Sequence, residues 1–383
     1  MWLAPAAIRA RPTRSILEQT EDSYCSVRLP LCMGTTEVTR GGAIRRRIGA
    51  GVAVVVALAA LVGLSGVSWS GVVAELRTID PLLLVVALAA SLLAQLAWSS
   101  STLLFLRTVD PTVSTGRVRL GYLTGTFAKQ ILPFGHAGGV PLMAYVLAEE
   151  MDLDYRGTFA SVTASELLIF VASLAVAGLG FGWFVVADGV ASGTELVALG
   201  LVGVLALVAV AIAGFVKRRT AFRRVVHGVA LVGRAVFRRA GPRVQGRLAP
   251  KAVDRGLDEF FETFDRATSD RSTVIRAATF AVVGWVLFAL PLYLGSLAVG
   301  QSLPLALVLF VVPAAGLATL LPTPGGLGGT EVGLTAAVVV LAEVGLETAA
   351  AAVLVYRVCS YWFLLVVGGL SSLFLSVGFR ELR

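Results

Sequence analysis

The sequence predicts an all-helical integral membrane protein that crosses the bilayer several times. Of its 383 residues, 57% are hydrophobic and 15% are charged, and the mean hydropathy is +0.85. A soluble globular domain has about 25% charged residues, so this composition excludes one. Long uncharged stretches recur, and proline and glycine interrupt two apolar regions. We therefore expect about six full transmembrane helices plus two re-entrant, Gly/Pro-broken helical hairpins in an inverted repeat.

The N-terminal segment differs from the rest of the chain. Residues 1–40 mix arginine, proline and acidic residues without periodicity, and they lack the apolar core of a signal peptide. We interpret them as a disordered segment ahead of an integral membrane domain at 41–383, with Met33 as an alternative start. The three cysteines, Cys25, Cys32 and Cys359, have no metal-ligand spacing. We expect neither a metal nor a cofactor.

Six stretches are long and apolar enough to span the bilayer. Each has about 20 residues or more, the length that crosses a hydrocarbon core of about 30 Å. Glu166 is the one charge in the third stretch, and Arg357 interrupts the last. The predicted spans are residues 48–67, 81–106, 157–187, 196–216, 277–300 and 348–379.

Two further apolar regions, 120–148 and 303–346, each contain a broken motif. The motifs read I-L-P-F-G-H-A-G-G at 131–139 and L-P-T-P-G-G-L-G-G-T-E at 321–331. Proline and glycine disfavour helix, and non-helical backbone at membrane depth is tolerated where it is buried in protein or lines a polar cavity. Paired breaks in two halves of a membrane protein indicate a transporter's binding site. The alternative is that each is a glycine-packed helix kink.

The distribution of basic residues favours hairpins over additional crossings. The arms of the first broken region have about 13 and 12 residues, too few to span alone. If both regions return to the side they entered from, nearly all of the 32 basic residues are cytoplasmic and Arg77 is external. Both termini then lie in the cytoplasm, with the protein in the cell membrane. The two hairpins approach the midplane from opposite faces, which suits alternating access.

Residues 217–276 form a basic cytoplasmic loop with amphipathic helices. Apolar residues recur at i, i+3, i+4 and i+7 from Phe222, among arginines, which is typical of a helix lying on the anionic inner leaflet. The same spacing from Leu257, among acidic residues, predicts a second helix that folds over the first. A net charge of +8 would suggest nucleic acid in a soluble protein. Here we expect no nucleic-acid partner.

Residues within the spans and broken motifs are the candidates for substrate binding, because a charge at membrane depth is costly and usually functional. The alternative is a structural ion pair, Glu166 with Arg357 or with Lys129. The helix after Gly329 would direct its N–H groups at a cavity and favour an anion such as phosphate, unless Glu331 serves as its dipole partner. The candidate set is Lys129, His136, Gly138, Gly139, Glu166, Gly325, Gly326, Gly328, Gly329, Thr330, Glu331 and Arg357.

Motifs of the common enzyme classes are missing from the sequence. There is no Walker loop, no H-E-x-x-H and no G-x-S-x-G, and the chain has two histidines. We therefore expect a protein without enzymatic activity. Since the sequence also has no nucleotide site, transport would be driven by a gradient or by no energy source.

At its broken motifs the chain resembles the lysylphosphatidylglycerol synthase/flippase transmembrane-region family. Y-R-V-C-S-Y-W at 356–362 adds to the resemblance, which spans most of the chain from about residue 45. It implies an integral membrane protein that moves phospholipids or polyprenyl-linked lipids between leaflets. Some members carry an aminoacyl-transferase domain or a glycosyltransferase; this chain ends just after the last predicted span, so we expect no synthetase activity. Val140-Pro141 follows the first motif, where the family is expected to have an acidic residue.

The leading hypothesis is that the protein translocates an anionic phospholipid or polyprenyl-linked lipid across the cytoplasmic membrane. One alternative is a secondary transporter of a small anionic solute. Another is a non-transporting membrane partner that docks a glycosyltransferase through its basic loop. Membrane lipids are expected partners in each case, and the sequence leaves the oligomeric state open between monomer and homo-oligomer.

Overall fold

The computed structural model describes residues 80–132, 135–187, 249–316 and 323–375, together with isolated helical positions between 199 and 231. Within these ranges all regular elements are helices and no strand occurs. Five helices are long and apolar enough to cross a membrane: Pro81–Val109, Tyr155–Ala187, Arg271–Ala298, Pro324–Ala342 and Leu346–Leu373. The prediction of an all-helical, multi-pass membrane protein is confirmed.

Four of these five helices cover spans that the sequence predicts, namely the second, third, fifth and sixth. Residues 1–40 and the first predicted span, 48–67, lie outside the described residues, as does most of the fourth, 196–216. The remaining helix, Pro324–Ala342, falls in the region that the sequence assigns to the second hairpin. This segment includes the glycine turn at its start; its total length allows one crossing, whereas the sequence predicts a return to the same side.

The described part of the first half contains four helices. They are α1 (Pro81–Val109), α2 (Thr115–Ile131), α3 (Gly135–Met151) and α4 (Tyr155–Ala187). Helix α1 begins where the Asp80 carboxylate accepts a hydrogen bond from the Leu82 N–H at 2.8 Å. Pro81 occupies the first helical turn, where an N–H group would have no acceptor within the helix, so its missing N–H costs no hydrogen bond. The break between α2 and α3 lies inside the first broken motif, as the sequence predicts.

Helices α2 and α3 pack closely as an antiparallel pair. An alanine Cβ at Gly121 would lie 2.6 Å from Leu147, and one at Gly125 would lie 2.6 Å from Met143. At Gly139 it would overlap the Lys129 side chain. The partners step by four residues in opposite directions along the two helices, as antiparallel helices require. Each helix has 17 residues and is therefore about 25 Å long, shorter than a hydrocarbon core of about 30 Å.

The described part of the second half contains six helices, a 3₁₀ turn and a π-helical turn. They are α5 (Pro250–Ser269), α6 (Arg271–Ala298), α7 (Leu305–Ala315), the 3₁₀ turn Pro324–Gly326, α8 (Gly329–Ala342), α9 (Leu346–Arg357), the π turn Val358–Trp362 and α10 (Phe363–Leu373). Helix α6 packs along α1, α7 against α4, and α10 against α2. The two halves are therefore interleaved, which brings their broken regions together near the centre.

Asp270 starts α6 six residues before the span that hydropathy predicts. Its carboxylate accepts hydrogen bonds from the Thr273 hydroxyl at 2.6 Å and from the Ser272 and Thr273 N–H groups at 3.1 Å. These bonds favour the ionised carboxylate, so the Thr273 hydroxyl first and then the Ser272 N–H lower the pKa of Asp270. The N-cap, rather than hydrophobicity, thus sets where this helix begins.

Helix α5 occurs where the spacing from Leu257 predicts one, and it lies against α4. Its Phe260 packs on Phe159 with ring centroids 5.7 Å apart, and Glu259 pairs with Arg156. Arg223, which belongs to the predicted basic helix, forms an ion pair with Asp258. The acidic face of α5 thus contacts a basic residue of the preceding segment. Most of that segment lies outside the described residues.

We expect Gly180→Ala to destabilise the fold, because α4 meets the main chain of α7 at this residue. The added methyl group would lie 2.8 Å from backbone atoms of Leu309 and Phe310, which cannot rotate aside. Overpacking of this kind costs about 1–3 kcal/mol. A methyl group added at Gly178 or at Gly182 would meet open space, so alanine at either residue is the matched control. Thermal unfolding in detergent measures the difference; equal midpoints for all three variants would contradict this packing.

Candidate functional site

A cavity of about 160 Å³ lies where the two broken regions meet. Helices α1, α2, α4, α6, α7, α8 and α9 line it, together with the 3₁₀ and π turns. Five of the twelve residues predicted to bind substrate contribute to its wall: Lys129, Glu166, Gly325, Thr330 and Arg357. Residues far apart in sequence thus share one polar space inside an apolar protein.

Lys129 and Glu166 form an ion pair at the wall of this cavity. Lys129 projects from the last turn of α2, and Glu166 lies within α4. Both side chains are largely buried, at 9% and 14% exposure. A lone charge at the centre of a membrane helix costs about 2.5–3.5 kcal/mol, which pairing reduces. Of the two partners that the sequence offers Glu166, the structure selects Lys129.

Arg357 pairs with Glu331 and not with Glu166, which the sequence offered as one alternative partner. Its Nε donates to Glu331 Oε1 at 2.6 Å, and its Nη2 donates to the Gly325 carbonyl oxygen at 3.3 Å. The guanidinium carbon lies 4.6 Å from the centroid of the Tyr361 ring, a cation–π distance. The physical reason is that the glycine turn brings the start of α8 against α9, while Lys129 already neutralises Glu166.

The glycines of the second motif make a turn that other residues adopt only with strain. The backbone φ angles are +56° at Gly325, +68° at Gly326 and +83° at Gly328. Gly329 follows as the first residue of α8. The Gly328 N–H donates to Glu331 Oε2 at 2.7 Å, so Glu331 is the N-terminal partner of this helix as well as the partner of Arg357.

Tyr361 connects the two broken regions. Its hydroxyl donates to the Gln130 carbonyl oxygen at 3.4 Å, at the end of α2. Its ring lies against Gly325, where any Cβ would overlap it. Tyr361 belongs to the π turn that follows Arg357, and π turns inside α-helices are frequent at functional sites. Sequence reasoning quoted this tyrosine within a motif but did not single it out.

An aromatic cluster forms another wall of the cavity, and sequence reasoning missed it. The Trp98 ring centroid lies 5.1 Å from that of Trp285 and 5.1 Å from that of Phe288. Both indole N–H groups donate to backbone carbonyls, of Ala281 at 3.2 Å and of Ile169 at 2.8 Å. The rings thus present apolar surface, so the cavity combines charged and aromatic walls.

The other predicted residues support the cavity or fall outside what the structure describes. Gly139 is buried against Lys129, and a Cβ added at Gly139 would collide with the Lys129 side chain. Gly326, Gly328, Gly329 and Glu331 form the turn and helix start that hold Arg357. His136 and Gly138 lie in the first turns of α3, where the structure describes the backbone alone.

Comparison with known proteins agrees with this architecture. Residues 48–368 match the family described as lysylphosphatidylglycerol synthase TM region. Two proteins of Methanothermobacter thermautotrophicus, both described as UPF0104 membrane proteins, are 28% identical to this chain. The first match extends over 289 residues, which is 72% of this chain and 79% of the relative. The second extends over 326 residues, which is 82% of this chain and 91% of the relative. The chain therefore belongs to the lysylphosphatidylglycerol synthase transmembrane-region family, as its motifs predicted.

Proposed function

We propose that this protein translocates an anionic lipid, either a phospholipid or a polyprenyl-linked lipid, between the leaflets of the cytoplasmic membrane. The observation that carries the proposal is the pair of cations in one cavity, Lys129 from the first half and Arg357 from the second. Each has a carboxylate from its own half, Glu166 and Glu331. The membrane itself offers no comparable partner for a phosphate, so such a cavity lowers the barrier to crossing.

Each ion pair joins a residue beside a break to a residue on a helix that follows, and the signs of the two charges are exchanged between the halves. In the first half the cation, Lys129, precedes the break and the carboxylate, Glu166, lies on the following long helix. In the second half the carboxylate, Glu331, follows the break and the cation, Arg357, lies on the next helix. This relation supports an inverted repeat whose two hairpins, α2–α3 and α7–α8, reach the midplane from opposite faces.

A phosphate enters this cavity by replacing a carboxylate at one of the cations. The cation stays paired throughout the exchange, which avoids leaving it as an uncompensated buried charge, and the displaced carboxylate gains a proton or turns towards water. The cavity of about 160 Å³ accommodates a headgroup and not two acyl chains, so the chains stay in the bilayer while the headgroup moves. The protein provides the polar path, and the lipid tails keep their apolar surroundings.

Fluorescent lipids in reconstituted vesicles test the proposal. We expect vesicles with the protein to make inner-leaflet NBD-phosphatidylglycerol accessible to external dithionite, and protein-free vesicles to protect it. Phosphatidylcholine with the same acyl chains is the control for charge, and we expect it to move more slowly because its quaternary ammonium brings a third cation into a cavity that already holds two. Equal protection of NBD-phosphatidylglycerol with and without protein would contradict lipid translocation.

The size of the cavity also fits a small anionic solute, which is the second candidate function. Uptake of radiolabelled phosphate into the same vesicles distinguishes the two candidates. Uptake without lipid movement would favour the solute transporter. The aromatic wall of Trp98 and Trp285 favours a ligand with carbon surface next to its charge, such as the glycerol of a lipid headgroup, over an inorganic anion.

The proposed topology is tested by cysteine labelling from outside intact cells. In a variant without Cys25, Cys32 and Cys359, a cysteine at Ser192 should react with a membrane-impermeant maleimide, and a cysteine at Ala240 should react only after permeabilisation. The reason is that basic loops stay cytoplasmic, where the loop around Ala240 also meets the anionic inner leaflet. Labelling of position 240 in intact cells would overturn both the hairpins and the inverted repeat.

A further inference from the structure

We propose that the start of α8 and Arg357 together form a binding site for a phosphate-type oxyanion, and that the Glu331 carboxylate competes with the ligand for this site. The inference deepens the proposed function and rests on it for the source of the oxyanion, a lipid headgroup. Free phosphate has the same chemistry, and the experiment below separates the two sources. The site lies at the N-terminal end of α8, and Glu331 is its built-in competitor.

The donors that converge on Glu331 are those that an oxyanion needs. Arg357 Nε donates to one carboxylate oxygen at 2.6 Å, and the Gly328 N–H donates to the other at 2.7 Å. A phosphate presents two oxygens with similar spacing and negative charge, so it can accept the same two bonds. The positive end of the α8 dipole adds to the attraction, since α8 has 14 residues.

Thr330 gives an independent indication of a ligand. The residue is 5% exposed, lines the same cavity as Arg357 and precedes Glu331 in the chain. Among the described residues, its hydroxyl has no hydrogen-bond partner. A buried hydroxyl without a partner is unfavourable, and native proteins rarely retain one. Donation to an oxyanion held by Arg357 would satisfy it.

The geometry also identifies which partner moves when the ligand binds. Arg357 is 8% exposed and is fixed by the Gly325 carbonyl and the Tyr361 ring in addition to Glu331. Glu331 is 24% exposed, and its carboxylate has two bonds, both to the donors that the ligand would use. We therefore assign the movement to Glu331, whose carboxylate leaves Arg357 as the oxyanion arrives.

Binding to the full chain in detergent tests the site without depending on transport. The probes are inorganic phosphate and dioctanoylphosphatidylglycerol, titrated by calorimetry. Glu331→Gln keeps an oxygen for the Gly328 N–H but removes the competing charge, so we expect affinity to rise by about tenfold. Thr330→Val keeps the side-chain shape and removes the hydroxyl, so we expect affinity to fall by about tenfold.

Thr124→Val is the matched control, because Thr124 also has a hydroxyl without a described partner but does not line the cavity. We expect it to bind as the wild type does. Binding of dioctanoylphosphatidylglycerol alone identifies a lipid headgroup as the source, and binding of both probes identifies a site for any phosphate. Either result supports the site if the Thr330 variant is weakened.

Two results would overturn the site. One is wild-type affinity in both Glu331→Gln and Thr330→Val, and the other is the absence of binding of either probe to the wild type and to Glu331→Gln. If Glu331→Gln fails to fold, as thermal unfolding will show, Thr330→Val decides alone. Failure of lipid movement in vesicles, with binding intact and responsive to these variants, would contradict the transport function and leave the site in place.

Discussion

Alanine at Gly326 and alanine at Gly139 should each abolish lipid movement while leaving the protein inserted in the membrane. Gly326 has φ +68°, where a non-glycine residue is strained by about 1–2 kcal/mol. The turn it belongs to aims the Gly325 carbonyl and the Gly328 N–H at the Arg357–Glu331 pair. With alanine at this position the turn relaxes to relieve the strain, and this movement displaces the Arg357–Glu331 pair. The strain is too small a free energy to unfold the protein.

Alanine at Gly139 acts on the other half of the cavity. Its Cβ would overlap the Lys129 side chain and would lie 3.0 Å from the Lys129 Cα. The close approach of α2 and α3 must then open, which moves Lys129 away from Glu166. The expected result is the same as for Gly326, because each half supplies one of the two cations.

Gly333→Ala in α8 and Gly116→Ala in α2 are matched controls, since an added Cβ at either position meets open space. All four variants are compared for membrane insertion by immunoblot and for movement of NBD-phosphatidylglycerol by dithionite accessibility. Wild-type movement by both Gly326→Ala and Gly139→Ala would reduce the broken motifs to helix kinks.

Arg357→Lys should fold and yet lose at least about tenfold in the rate of lipid movement, as expected for the loss of one charge-assisted hydrogen bond. Arginine reaches Glu331 and the Gly325 carbonyl at the same time through two different nitrogens. Lysine keeps the charge but concentrates its donors at one point, so it cannot hold both partners or an oxyanion in the same geometry.

Arg276→Lys is the control for this substitution, because Arg276 is exposed near the start of α6 and does not line the cavity. Its rate should equal that of the wild type, measured in the same vesicles at equal protein content. A wild-type rate for Arg357→Lys would mean that Arg357 is a buried structural charge without a part in transport.

The long helices could be predicted from the sequence because lipid leaves the backbone few choices. A spanning segment has to satisfy its N–H and C=O groups internally, so an apolar stretch of sufficient length is a helix. Helix ends were less predictable. Arg271–Ala298 begins before the apolar stretch because the Asp270 carboxylate caps it, an interaction that hydropathy does not report.

The charged residues of the site were also predictable, but their pairing was not. Lys129, Glu166 and Arg357 stand out because few charges interrupt the apolar regions. The Glu166 partner lies 37 residues away and the Arg357 partner 26 residues away, and these contacts depend on how the helices pack. The sequence therefore left two partners open for Glu166 and did not offer Glu331 as the partner of Arg357.

The aromatic wall could not be recognised from the sequence. Trp98 and Trp285 occur in apolar helices, where the same residues serve equally well in a packed core. Tyr361 did have a sequence signal, since it follows Arg357 by four residues, a spacing that places both side chains on one face. An arginine and a tyrosine at that spacing within a span predict a cation–π contact.

A thiol reagent attached inside the cavity tests most directly whether the lipid headgroup passes through it. Gln95 lines the cavity and is 4% exposed, while Leu93 on the same helix is 50% exposed and does not line it. In a chain without native cysteines, methanethiosulfonate labelling of Gln95→Cys should stop movement of NBD-phosphatidylglycerol, and reductant should restore it, whereas labelling of Leu93→Cys should change nothing. Undiminished movement with position 95 fully labelled, as verified by mass spectrometry, would contradict a path through this cavity.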